Sequence, residues 1–173
     1  HSAILDVTVR HVPNPREAQK YRVEKIWKGS MTSEVGQAMA NCDDTGPSLV
    51  CVTNVRAIPN EGLVATGRVF SGTVKSGAKV WLVNAQTESV VQQVSIYMGA
   101  FREPVDQVSA GNLAAFSGLD SAKAGETVVD AEHKGVVPFE QVRYVSEPVV
   151  TVAVEPKNPA ELPELLAAVD HLA

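Results

Sequence analysis

The segment RVFSGTVKSGAKV, residues 68–80, decides the fold. Its apolar runs are separated by Ser-Gly-Thr and Lys-Ser-Gly, and it contains no acidic residue, histidine or cysteine. Short β-type runs broken by glycine and serine are typical of strands joined by tight turns. The segment lacks the GxxxxGK[ST] pattern, and a phosphate loop lies between a strand and a helix rather than between two strands. It therefore predicts a strand, a turn and a second strand.

The same pattern continues on both sides, from residue 48 to about residue 129. It comprises six β-type runs: SLVCVTNVRA, LVATGRVF, AKVWLV, SVVQQVSIYM, NLAAFSGL and ETVVD. Segments rich in glycine, asparagine and serine separate them, and no helical period intervenes. An antiparallel sheet of this kind must protect its edges, and closure does so. We therefore predict a mainly β fold built on a six-stranded antiparallel closed β-barrel.

The chain before the barrel predicts helices. The segment ILDVTVRHV fits one helical face and ends at the prolines that follow it, and Pro15 suits the first position of a short helical turn. In SEVGQAMANC, apolar residues recur at i, i+3, i+4 and i+7 behind Ser33, which suits a helix N-cap. Cys42 is the last residue of that stripe, so we expect it to pack rather than to react.

The chain after the barrel predicts a strand and a helix. The run EPVVTVAVEP is rich in β-branched residues, and Asn158 and Pro159 suit the N-cap and first position of a helix with an apolar stripe. A lone strand and a lone helix bury their apolar surface poorly. We therefore expect further chain to complete this second domain.

Composition limits the possible functions. The chain has 173 residues and a net charge of −5, so any contact with nucleic acid must be local. Cys42 and Cys51 belong to no CxxC pair or Cys/His cluster and predict free thiols in a reducing cytoplasm. The longest apolar runs are far below the roughly 20 residues of a membrane span, and no signal peptide opens the chain. These features predict a cytosolic protein without a metal.

Catalytic patterns are weak, and basic residues are the remaining candidates. No GxSxG or HxxxH pattern occurs, and the acidic pairs in CDDTGP and REPVD are interpreted as solvated turns. The candidates for contact with an RNA backbone are Arg68, Lys75, Lys79 and Arg102. A second mixture, KYRVEKIWK, interleaves Tyr21 and Trp27 with basic residues and predicts phosphate contact and base stacking. The alternative for both sets is a solvated face whose long side chains lie over apolar atoms.

A family resemblance adds to this interpretation. The strings HVPNPREAQKYRVEKIWKG, MANCDDTGP, ATGRVFSGTVKSGAKV, QQVSIYMG, SAGNLAAFSGLDSAKAGETV and SEPVVTVAVEPKNPAELPELLAAVDHLA, in this order, resemble the elongation factor 2 family. Its members are the translocation GTPases of the archaeal and eukaryotic type. The resemblance implies that residues 1–45 end the GTP-binding domain, that residues 46–140 form the second, barrel domain, and that residues 141–173 are a linker and the first strand and helix of a ferredoxin-like third domain.

The resemblance also implies a role. The parent protein would use GTP with Mg, bound outside this chain, and no residue here matches a catalytic or nucleotide-binding motif of the family. The piece would be a non-catalytic scaffold in the cytoplasm, with the parent's GTP-binding domain and small-subunit ribosomal RNA as partners and no membrane contact. We expect residues 131–145 to act as a hinge. Two alternatives are a paralogous ribosome-maturation or splicing GTPase and a stand-alone β-barrel ligand-binding protein.

Overall fold

The computed structural model describes residues 2–58, 61–99, 101–140 and 150–172. The chain divides into two compact units, residues 1–141 and residues 142–173. The described part of the larger unit holds three helices: α1 Ser2–His11, α2 Pro15–Ile26 and α3 Glu34–Asn41. It also holds ten strands: β1 Leu49–Ile58, β2 Gly62–Ser71, β3 Thr73–Lys75, β4 Lys79–Leu82, β5 Thr87–Val90, β6 Gln93–Met98, β7 Phe101–Val105, β8 Gln107–Ser109, β9 Leu113–Ser117 and β10 Thr127–Asp130.

The helices begin where local capping chemistry predicts. The Asn14 side chain accepts a hydrogen bond from the Glu17 amide, with Pro15 at the first position of α2, and the Ser33 hydroxyl accepts one from the Gly36 amide at the start of α3. Helix α3 ends at Cys42, whose backbone is left-handed at φ 53° and whose side chain is buried. The packing role predicted for Cys42 is confirmed. Helix α2 is longer than the predicted short turn.

The prediction of six strands is wrong in number, because the described residues form ten. Strands β3 and β7 lie in segments interpreted from the sequence as turns, and β8 lies in a segment for which the sequence predicts no element. The run SVVQQVSIYM divides into β5 and β6. Three-residue strands are too short to show an alternating pattern. Strand β7 carries Pro104, which has no amide N–H to donate. An edge strand tolerates it because one side of such a strand has no neighbour to receive that bond.

Antiparallel pairing joins eight of these strands in the order β5-β4-β10-β1-β2-β9-β6-β7, and β3 pairs with β8 in a second sheet. The loop after β3 forms hydrogen bonds next to the ends of both outer strands of the large sheet. The Ser76 amide donates to the Asp106 carbonyl at 3.0 Å, the Val94 amide donates to the Ser76 hydroxyl at 3.2 Å, and the Gly77 amide donates to the Val91 carbonyl at 2.7 Å. The loop after β3 therefore links the ends of β5 and β7.

Two hydrophobic clusters stabilise the unit. The first takes buried residues from β1, β2, β3, β4, β6, β8, β9 and β10, and Phe116 is its largest side chain. The second lies between the sheet and helices α2 and α3, and its members are Val23, Trp27, Val35, Met39, Leu49, Phe70, Val129 and Phe139. Gln19 supports this junction, since its amide nitrogen donates to the carbonyls of Met39 and Phe70. Helices α2 and α3 thus share the second cluster with the sheet.

The chain leaving the sheet is attached to the larger unit as far as Glu140. The Glu140 amide donates to the Ile26 carbonyl at 2.9 Å, and the Phe139 ring packs 4.9 Å from that of Phe70, centroid to centroid. Residues 136–140 are therefore held in place. Residues 141–145 of the expected hinge lie outside the described residues.

The smaller unit differs in part from its prediction. Asn158 accepts a hydrogen bond from the Ala160 amide, a single 3-10 turn follows over Pro159–Glu161, and α4 runs from Leu162 to Leu172, so the predicted helix is confirmed. The described residues of the predicted strand, 150–156, have no regular secondary structure. Its valines alternate, but a strand also needs a neighbour for its amides and carbonyls.

Candidate nucleic-acid interface

Lys75 and Lys79 lie on either side of one turn. Lys75 ends β3, Lys79 begins β4, and the Ala78 amide donates to the Lys75 carbonyl at 3.2 Å to close the turn. Both side chains are exposed, and neither forms an ion pair with any described residue. Two ammonium groups so placed are available to phosphate oxygens. The structure therefore brings these two predicted residues together.

Arg68 lies elsewhere, in the middle of β2. It is half-buried and pairs across the sheet with Cys51 on one side and Leu113 on the other. Burial raises the pKa of the Cys42 thiol, and the nearby positive charges of Arg16 and Arg68 partly oppose that rise. Arg68 is thus close enough to the end of α3 for its charge to act on the Cys42 thiol.

Arg102 is not a free cation. It forms an ion pair with Glu61, and its side chain is only 16% exposed. A guanidinium already paired with a carboxylate has less of its charge and fewer donors to offer to phosphate. The structure therefore separates Arg102 from the other three candidates.

Comparison with known proteins assigns the chain. Residues 62–129, from the start of β2 to all but the last residue of β10, match the family model described as elongation factor Tu domain 2. Over the whole chain, identity is 57% to elongation factor 2 of Staphylothermus marinus, 58% to that of Ignicoccus hospitalis and 51% to that of Metallosphaera sedula. The chain is a segment of the elongation factor 2 family. It spans 24% of the length of each of these relatives, about a quarter.

In this elongation factor 2 segment, the second predicted mixture keeps only one of its two rings, that of Tyr21, exposed. The Trp27 ring is 4% exposed and lies in the cluster beneath α2, so it cannot meet a base. Lys28 forms an ion pair with Glu140 at 3.5 Å. The predicted stacking is therefore wrong for Trp27, because the apolar face of α2 is needed for packing. It stays a prediction for the half-exposed Tyr21.

The acidic residues of the segment have structural partners. The Asp43 carboxylate accepts hydrogen bonds from the amide and the hydroxyl of Thr45 at 2.9 and 2.8 Å, and these bonds hold the pKa of Asp43 below its usual value. Asp43 thus stabilises the turn after α3, as interpreted from the sequence. Glu103 lies in β7 rather than in a turn. Among the described residues, no group of three or more His, Cys, Asp or Glu side chains is arranged to hold a metal, and no helix is long and apolar enough to cross a membrane.

The sequence reasoning missed two exposed side chains near Arg68. Tyr97 is 46% exposed and Leu113 is 53% exposed, although each lies in a strand. The alternation of inward and outward side chains along a strand could have identified Tyr97. In QVSIYM, the inward positions are those of Val94 and Ile96, which leaves Tyr97 on the outer face.

Proposed function

We propose that this chain is the non-catalytic scaffold of a cytoplasmic, GTP-dependent ribosomal translocation factor. The proposal is supported by relatives named elongation factor 2 that match along the whole chain and continue for about three times its length beyond it. The GTP-binding domain, which would hold GTP with Mg, would lie in the part of the parent outside this segment. The segment would connect that domain with the small ribosomal subunit.

The proposed domain plan has residues 1–45 as the end of the GTP-binding domain, 46–140 as a closed barrel and 141–173 as a linker with the first elements of a ferredoxin-like domain. The hydrogen bonds at Ser76 support closure, because they connect the two outer strands of the large sheet. The cluster shared by α2, α3 and the sheet supports movement of residues 14–140 as one body. A hinge would then lie after Glu140.

The contact with small-subunit ribosomal RNA is proposed at the turn between β3 and β4. The observation that carries it is the pair of exposed ammonium groups of Lys75 and Lys79, unpaired within the described chain and close together in a protein whose net charge is −5. Since only a few phosphates can be neutralised there, the isolated chain should bind this RNA weakly and with marked salt dependence.

Charge reversal in the full-length factor tests the proposal. The double change Lys75→Glu/Lys79→Glu should lower ribosome-stimulated GTP hydrolysis and leave guanine-nucleotide affinity unchanged. The matched control is Arg10→Glu/Lys157→Glu, which changes the net charge equally at two exposed positions outside both candidate sets. Equal stimulation in both double variants would remove Lys75 and Lys79 from the interface.

Arg102 needs a separate design because of Glu61. Arg102→Glu alone would place two carboxylates side by side, and lost stability would then imitate lost binding. The exchange Glu61→Arg/Arg102→Glu keeps an ion pair and tests the position itself. We expect this exchange to leave stimulated hydrolysis close to that of the wild type.

A further inference from the structure

One outer face of the large sheet is only half covered. On β2, Ala65 and Val69 point into the core, so Thr66, Arg68 and Phe70 point outwards. Phe70 lies beneath α2 and α3 in the second hydrophobic cluster. Two residues earlier, at Arg68, the side chain is only half-buried. The helical cover therefore ends at Arg68.

Beyond that point the strands present a row of exposed side chains. Leu113 on β9 lies directly opposite Arg68, and residues in register on antiparallel strands share a face. The pairing of Ser95 on β6 with Ala115 on β9 places Tyr97 next to Leu113 when it is continued by two residues. We call Arg68, Leu113 and Tyr97 the outer row.

Tyr97 is oriented over this face. Its hydroxyl lies 3.3 Å from the hydroxyl of Thr66, across the intervening strand β9, and the two form a hydrogen bond. The ring therefore lies along the sheet surface while 46% of the residue remains exposed. A tyrosine fixed in this way presents an apolar surface at little cost in side-chain entropy.

The charge of the outer row is positive. Arg68 makes no ion pair within the part of the chain that the structure describes. On the other side of Tyr97, its partner on β7 is Arg102, which binds the nearby carboxylate of Glu61. The carboxylate of Glu61 at that end is thus neutralised, and Arg68 at the other end makes no ion pair with a described residue.

We infer that the outer row binds one unpaired nucleotide of single-stranded RNA, with the base on Tyr97 and Leu113 and the phosphate at Arg68. This inference rests on the proposed function and adds a second contact to the turn of Lys75 and Lys79. Unpaired bases stack on exposed aromatic rings, and guanidinium groups bind phosphate in two-pronged fashion. Two strand spacings, about 10 Å, separate the backbones of Arg68 and Tyr97, a distance within the combined reach of one nucleotide and an extended arginine side chain. Bases in a duplex are already stacked, so a duplex would gain only the phosphate contact.

The test uses the whole 173-residue chain and a fluorescein-labelled single-stranded RNA of mixed sequence, with binding followed by anisotropy at low salt. Tyr97→Leu should weaken binding about 5-fold or more, the lower range for loss of one stacked base, and Tyr97→Phe should restore most of it. The matched control is Phe101→Leu, which removes a ring 77% exposed on the next strand but on the opposite face of the hairpin. That control should leave the affinity unchanged.

The melting temperature of Tyr97→Leu shows whether that variant is folded. If it unfolds, Arg68→Met provides the test instead. Arg68→Met should reduce the slope of log affinity against log salt concentration by the amount expected for about one phosphate contact. The affinity for a hairpin duplex of equal charge should be the same for the wild type, Tyr97→Phe and Tyr97→Leu. The inference is overturned if wild-type chain binds the single strand no better than the duplex, or if Tyr97→Leu and Phe101→Leu behave alike. If the outer row instead docks protein, Tyr97→Leu will destabilise the full-length factor without changing RNA affinity. If the outer row fails this test but ribosome-stimulated GTP hydrolysis still depends on Lys75 and Lys79, the proposed function stands and only the nucleotide site is overturned.

Discussion

The indole nitrogen of Trp27 donates a 2.6 Å hydrogen bond to the carbonyl oxygen of Val137, 110 residues further along the chain. Trp27 also forms an isolated bridge with Phe139 and is 4% exposed. One side chain therefore joins the end of α2 to the segment that leaves the sheet.

Trp27→Ala should lower the free energy of unfolding by about 3–5 kcal/mol, as expected for loss of a large buried aromatic side chain. Trp27→Phe should cost less, because the ring is partly kept and the Val137 carbonyl, in a residue 44% exposed, can bind water. Urea denaturation followed by circular dichroism measures both. Tyr21→Ala, on the same helix but 49% exposed, is the control and should change stability by less than about 1 kcal/mol. Equal losses of stability in Trp27→Ala and Tyr21→Ala would contradict the role of Trp27 in joining the end of α2 to the segment that leaves the sheet.

Local chemistry explains which elements the sequence predicts well. The three N-caps, Asn14, Ser33 and Asn158, each act on an amide two or three residues away, so the signal and the structure are neighbours in the chain. The alternation in LVATGRVF likewise reports directly on which side of β2 faces the core. Helix starts and the long strands therefore follow from the sequence.

Non-local pairing explains what was missed. Strands β3 and β8 are three residues each and exist because they pair with one another across more than thirty positions of chain. Arg102 was predicted as a free cation, yet Glu61 reaches it from the end of the β1–β2 hairpin. Similarly, the sequence around Trp27 predicts an exposed ring among lysines, whereas in the fold Val137 and Phe139 contact that residue. Such partners are set by topology, which no single segment encodes.

Gly72 and Gly77, in the segment that decides the fold, should respond differently to alanine. Both have a left-handed backbone, with φ of 70° and 81°. A Cβ at Gly72 would lie 2.5 Å from the Cα of Ser48, whereas a Cβ at Gly77 would meet nothing within 4 Å. Gly77→Ala should therefore cost about 1–2 kcal/mol from backbone strain alone, and Gly72→Ala distinctly more. Thermal and urea unfolding of the pair checks this, and a Gly77→Ala cost equal to or above that of Gly72→Ala would refute it.

Gln19 should tolerate an apolar substitute better than an acidic one. Its amide nitrogen donates to the carbonyls of Met39 and Phe70, while its oxygen has no partner among the described residues. Gln19→Leu removes two donors and should cost about 1–3 kcal/mol. Gln19→Glu places a buried carboxylate against two carbonyl oxygens and should cost more at neutral pH. The difference in the free energy of unfolding between the two variants should be smaller near pH 4 than at neutral pH, since a protonated carboxyl can donate one hydrogen bond. A difference that stays constant would argue against the two carbonyl oxygens facing position 19.

Cys51 should make stability fall at alkaline pH. Burial raises the pKa of its thiol from 9.0 to about 11. Between these values the folded protein keeps a proton that the unfolded chain has lost, so the free energy of unfolding is fully supported below pH 9 and declines as the pH rises towards 11.

The measurement is urea denaturation of the wild type and of Cys51→Ala at about pH 7.5 and about pH 10.5. Other groups titrate in this range, but they are common to both proteins, so the difference between the two isolates the thiol. The stability of the wild type relative to Cys51→Ala should be smaller at the higher pH. A difference that does not change with pH would mean that Cys51 ionises as readily in the folded protein as in the unfolded chain. The packing of the Cys51 side chain against the second hydrophobic cluster would then have to be reconsidered.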